Sequence, residues 1–137
     1  LQQNKDTSVC IPVKDGYKIG LYSLRIHPNR TCDVRDHNDT LVHTFDNKIN
    51  AVLYTIYYIK RKFWLSDEIL QLDKEINKNY TDVIILQRQI KRARETKQYD
   101  VMDIRQARLD NAQERLFSAR KRISKIHKYA KYNNIWE

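Results

Sequence analysis

The sequence predicts an all-α fold: an antiparallel helical bundle of about four helices, the last one long, with an irregular disulfide-tied N-terminal segment. Three observations lead there. The 137-residue chain has only 2 Gly and 2 Pro, and Gly16, Gly20, Pro12 and Pro28 all fall in the first 28 positions. The rest of the chain therefore lacks the strongest helix breakers. Apolar residues recur at helical spacing from Ile49 onward. A helix-start signature, a capping residue flanked by an apolar pair, occurs three times, at Ser66, Thr81 and Asp100.

The expected order is a single domain over 1–137. Residues 1–44 form a loop-rich segment, 45–131 the bundle and 132–137 a tail. Within 1–44, Tyr17–Ile26 alternates briefly, which fits a short strand or the start of a helix after Asp15-Gly16. The polar stretch 33–40 reads as a loop. The first helix, about 46–64, carries Ile49, Val52, Ile56, Ile59 and Phe63 on one face. Helices at about 67–78, 82–97 and 101–131 follow from the three caps. One longer rod is the alternative for the middle pair, because Leu65, Ile69, Leu72, Ile76, Asn79, Val83, Leu86, Ile90 and Ala93 keep heptad spacing through the proposed break. In the last helix Leu109, Ala112, Leu116, Ala119, Ile123, Ile126 and Ala130 form a strict 3-4 seam.

The N-terminal third carries signals of secretion. Asn-x-Thr triplets begin at Asn29 and Asn38, with a third at Asn79. All three are candidate glycosylation sites. Cys10 and Cys32 are expected to pair; the bridge would close a loop of about 20 residues and contribute roughly 3 kcal/mol. The chain begins at Leu1 without Met, which fits removal of a signal peptide. No run of 18 apolar residues exists, so no membrane span is expected.

The formal charge is +9, distributed as +2 over residues 1–80 and +7 over 81–137. Arg115, Arg120, Lys121, Arg122, Lys125, Lys128 and Lys131 crowd the last helix with no acid after Arg115, a surface suited to a polyanion or an acidic protein. The bland reading is a solvated helix face. Zinc-finger spacing, an RNP-type motif and a helix-turn-helix glycine turn are all missing, so nucleic acid is the weaker expectation. Asp33, Asp36, His37, Asn38, Asp39 and His43 lack calcium-loop or zinc spacing, and a hydrogen-bonded polar loop explains them better than a metal. No nucleophile constellation, phosphate loop or cofactor motif is visible, and no catalytic residue is expected. His127, close to the last seam, reads as a packed histidine.

Tyr54, Tyr58, Arg61 and Trp64 form the alternative partner surface. Tyr54 and Tyr58 point away from the first helix's apolar face beside Lys60, Arg61 and Lys62, and exposed Tyr with Arg is typical of interface hot spots. The bland reading is that a second helix covers them. Trp136 in the tail either folds back or anchors a partner. The combined expectation is a secreted basic helical binding protein that modulates or inhibits an extracellular protein or anionic polymer by surface occupation, as a monomer, with a dimer as the variant. In general character it is similar to small secreted helical effectors such as cytokine-like ligands, an analogy that assigns no residues. The rival readings are an intracellular or viral nucleic-acid binder using 115–131 and a self-associating structural coiled coil.

Overall fold

The computed structural model describes residues 8–132, Tyr132 by its backbone alone. Leu1 and the tail with Trp136 lie outside the described residues. Five short strands come first: β1 (Cys10–Val13), β2 (Gly16–Ile19), β3 (Tyr22–Ile26), β4 (Cys32–Arg35) and β5 (Leu41–Phe45). They form one antiparallel sheet in sequence order, a meander. Three helices follow: α1 (Lys48–Ile59), α2 (Phe63–Glu95) and α3 (Tyr99–Tyr132). The class is therefore α+β, which corrects the all-α bundle and the loop-rich reading of residues 1–44.

The physical reason lies in the turns. The strands are four or five residues long, too short for periodicity to declare itself. Their connections use few glycines. Asp15, Arg30 and Asp39 adopt positive φ in the hairpins, and Arg61 and Lys97 do so at helix ends. Scarcity of glycine is thus no measure of turn content here. Gly20 sits at the first central position of the β2–β3 turn with φ 58°, where a type II′ hairpin places glycine. Gly16 is required for a different reason: a Cβ there would lie 1.8 Å from the Leu24 carbonyl oxygen.

The β3–β4 and β4–β5 loops are near copies. In the first, the His27 and Arg30 amides donate to the Thr31 and His27 carbonyls. In the second, the Asp36 and Asp39 amides donate to Thr40 and Asp36. Each loop carries Asn, a positive-φ residue and Thr in succession. Turn chemistry is a sufficient local reason for two of the three Asn-x-Thr triplets.

The helices also differ from expectation. α1 closes on a Schellman motif, with the Arg61 amide donating to Tyr58 and the Lys62 amide to Tyr57. α2 then starts at Phe63, ahead of the expected cap Ser66, whose hydroxyl donates to the Phe63 carbonyl. Thr81 lies inside α2 and donates back to the Asn77 carbonyl, so 67–97 holds one helix where two were expected. The heptad continuity, with Asn79 in it, is the pattern the helix follows.

Two compact units are present. The first holds the sheet, α1, α2 up to Asp73 and α3 from Lys125; the second is Lys74–Ser124. In the second, Ile76, Asn79, Val83, Ile90 and Ala93 of α2 and Leu109, Ala112, Leu116, Ala119 and Ile123 of α3 are buried. In the first, α1 packs on β3, β4 and β5, and every residue from Asn50 to Tyr57 is buried. A helix buried on all sides is a core helix. The inner sheet face supplies Ile19, Leu24, Cys32, Val34 and Phe45.

One polar network crosses this core. The Asp73 carboxylate is fully buried and lies 3.0 Å from His43 Nε2. Its Oδ1 accepts from the Asp46 amide at 3.0 Å and from Asn50 Nδ2 at 3.1 Å. Because the carboxylate only accepts, the Asn50 amide is oriented with Oδ1 toward His127 Nε2, 2.7 Å away. His127 Nε2 must then be the donor. Asp73→Ala strands an amide and an imidazole, so a loss of about 3–5 kcal/mol is expected in urea unfolding. By contrast, the Tyr57 hydroxyl is buried with no hydrogen-bond partner among the described residues, and Tyr57→Phe should cost nothing. Equal losses in the two variants would remove the network from its central place.

Burial pushes the His127 pKa below its ordinary value. The native state therefore binds fewer protons than the unfolded chain, and stability gained above the unfolded pKa of about 6.5 is lost as pH falls toward the folded value. His127→Gln keeps a donor but cannot titrate. Unfolding measured between neutral and mildly acidic pH should fall less steeply in that variant than in the parent; parallel curves would refute the assignment.

Candidate functional site

Three connections converge at one end of the first unit: the β2–β3 turn, the β4–β5 loop and the α1–α2 elbow at Lys60–Lys62. They enclose a groove of about 340 Å³ lined by Leu21, Tyr22, His37, Tyr58, Arg61 and Phe63. Loops held by a rigid scaffold are where binding groups concentrate. The aromatic rings form a chain. Tyr22 meets Tyr58 edge-on at 6.0 Å, Tyr54 stacks on Tyr58 at 5.9 Å, and Tyr58 meets Phe63 edge-on at 5.2 Å. Phe45 of β5 closes the inner end at 5.1 Å from Tyr54.

Of the four residues expected at this surface, Tyr58, Arg61 and Trp64 are exposed and Tyr54 is not. Phe45 of β5 packs against Tyr54, so a strand takes part in burying it. Trp64 is 67% exposed and Phe63 45%, large values for such rings. Lys60, Arg61 and Lys62 are all exposed beside them. Burial, then Tyr58, Tyr22 and Asp67, pushes the Tyr54 hydroxyl up to about 12. Burial, then Tyr58 and Asp36, raises Tyr22 as well. Both phenols therefore stay protonated at neutral pH. Leu21, Tyr22 and His37 were invisible to periodicity, since only the sheet's turns bring them to α1. Phe63 was assigned to the core face because the helix was expected to run through it.

The basic residues of α3 are placed differently. Arg115, Arg120, Lys121, Arg122, Lys125, Lys128 and Lys131 are all exposed. Arg120 lies over the Tyr80 ring at 5.8 Å. Asn29 and Asn38 are exposed in hairpin loops, with Asn29 Oδ1 accepting from the Thr31 hydroxyl at 2.6 Å. Asn79 is buried in α2, and its Nδ2 donates to the Glu75 carbonyl at 2.9 Å. Asp36 Oδ1 accepts from the Asn38 and Thr40 amides, which makes the expected polar loop an Asx turn. His43 pairs with buried Asp73, and among the described residues no Ser, Thr or Cys side chain bonds to it.

The expected disulfide is not formed: Cys10 and Cys32 are free. They start β1 and β4, with β2 and β3 between them. Three strand spacings come to roughly 14 Å, far beyond the ~7 Å limit between bridged Cα atoms. Cys10 instead lines an apolar groove with Pro12, Tyr17, Ile49, Val52 and Ile56. Cys32 is buried in the core, and burial followed by Asp33 pushes its thiol up to about 11.

No family model, curated protein or solved structure matches this chain. Its functional reading rests on this geometry. No helix among the described residues is long and apolar enough to cross a membrane.

Without reductant, iodoacetamide should label Cys10 in the native protein and add a second label, at Cys32, only after denaturation. Intact mass before and after denaturant checks this. A denatured chain that takes no label until it is reduced would restore the bridge.

Proposed function

We propose that this protein is an extracellular binding module that occupies the surface of a partner protein through the aromatic and basic α1–α2 elbow. The observation that carries the reading is the exposure of Tyr58 and Phe63, which line a concave groove with Arg61, and of Trp64, which follows Phe63 in the chain. Leaving such rings in water forgoes burial of a large apolar surface, and interface anchors are drawn from Trp, Tyr and Arg. The groove offers a pocket for an apolar side chain. Lys60, Arg61 and Lys62 favour a partner that presents carboxylates around it. Asn29 and Asn38 are exposed, so the extracellular assignment leaves both triplets open to glycan transfer in addition to their role in the turns.

A photo-crosslinking residue at position 64, with a control at exposed Ile104, tests the reading in extracellular fluid from the native source. A discrete adduct is expected at 64 alone, reduced at least about tenfold by Arg61→Glu, the size of effect a lost hot-spot contact produces. Trp64→Ala should leave unfolding within about 0.5 kcal/mol of the parent. An adduct at 104 but not at 64 would move the interface elsewhere.

A further inference from the structure

The sheet's inner face is covered by α1, and its outer face carries a groove of about 650 Å³. Register fixes which side chains stand there. One row across the sheet is Gly16, Arg25, Asp33 and Thr44; the next is Lys18, Ser23 and Arg35. His27, two residues beyond Arg25, shares this face. Ser23 is thus flanked by Lys18 on one neighbouring strand and Arg35 on the other, with Arg25 two residues along its own strand. Strand geometry puts the Cα atoms of these residues within about 5–7 Å of the Ser23 Cα.

The carboxylate in this face does not neutralise them all. Asp33 is only 8% exposed and its oxygens are taken. Oδ1 accepts from the Thr44 hydroxyl at 2.7 Å, and Oδ2 lies 3.0 Å from His27 Nε2 and 3.8 Å from Arg35 Nη2. Arg35 Nη1 donates to the Asp39 carbonyl, which anchors the guanidinium a second time. The other carboxylates lining the groove, Asp15 and Asp39, belong to exposed turns. Lys18 and Arg25 make no ion pair among the described residues. Arg35 is held in place while two cations that no described carboxylate pairs with, and a hydroxyl, stand beside it, an arrangement suited to a tetrahedral oxyanion.

The polymer that carries the oxyanion is indicated by what this face lacks. The two rows hold no aromatic ring; of the rings that line the groove, Tyr17 belongs by register to the opposite face with Leu24 and the His27 imidazole is tied to Asp33, whereas single-stranded nucleic acid is gripped by stacking its bases on open rings. Charge and hydrogen bonding alone remain, as a sugar polymer requires. We propose that the outer face of the sheet, around Ser23 with Lys18, Arg25 and Arg35, binds the sulfate groups of a sulfated glycan.

Calorimetric titration of the full chain with a heparin-derived hexasaccharide tests this. Binding should weaken as salt rises, and Lys18→Ala and Arg25→Ala should each reduce affinity about five- to tenfold. Lys18→Arg should restore it, and Arg120→Ala with Lys121→Ala on α3 should leave it unchanged. Circular dichroism confirms that each variant is folded. The proposal is overturned if no heat of binding appears, if the loss follows the α3 variant, or if the desulfated hexasaccharide binds equally well. It is also overturned if a single-stranded oligonucleotide of equal charge binds more tightly at this face.

Discussion

A single buried carboxylate sets the arrangement of the first unit. Asp73 reaches β5 through His43, the strand-to-helix connection through the Asp46 amide, and the first turn of α1 through Asn50. Asn50 then engages His127 of α3. Three stretches distant in sequence, 43–50, Asp73 and His127, are joined through one carboxylate that cannot leave the core without a heavy desolvation cost. Hydrophobic burial would drive α1 onto the sheet in many registers. The directional bonds from Asp73 select one, because any slip strands a buried polar group. Asn47 completes the corner, its Oδ1 accepting from the Asn50 amide as the N-cap of α1.

That selection positions the elbow. With α1 fixed at its N-terminus, Tyr58 and Arg61 at its C-terminus come to lie over the β2–β3 and β4–β5 connections. The Schellman closure turns the chain sharply, so that Phe63 returns against Tyr58 and does not continue the line of α1. The non-glycine at the left-handed position is not itself a sign of function, since Lys97 closes α2 in the same way. What distinguishes the elbow is the ring chain beside it.

Sequence alone disclosed the helical seams and hid the sheet. All seven apolar positions expected in the last helix are buried, from Leu109 to Ala130. The heptad spacing across Asn79 was a truer guide than the local start signals at Ser66 and Thr81, which are satisfied inside a continuous helix by bonds to the preceding turn. Long-range periodicity sums over many residues, whereas a capping residue has an alternative use at any helical position. The strands were hidden because each offers at most three inward side chains and because Asp and Arg do the work of glycine in the turns. A signal was nonetheless present: turn-forming residues recur at 14–16, 20–21, 27–31 and 36–40, the regular spacing of a meander. Half of the candidate site was legible for the same reason. Tyr58, Arg61 and Trp64 follow from helix geometry, but Tyr22 and His37 join them only through sheet topology.

The distribution of charge was legible as well, yet density and organisation differ. The most crowded cations, on α3, are exposed along a helix where Arg120 already lies over the Tyr80 ring, and ordering a long side chain that is not so held costs about 0.5–1.5 kcal/mol on binding. Arg35 is already ordered by Asp33 and the Asp39 carbonyl, and Lys18 and Arg25 stand on pleated strands whose spacing fixes their separation. At the elbow, the turn that closes α1 fixes the backbone of Arg61, and its side chain is exposed. A cation whose position is set before the partner arrives loses less freedom on binding. Arg35 meets that condition, so anchoring, and not local density, is what prepares a cation for recognition.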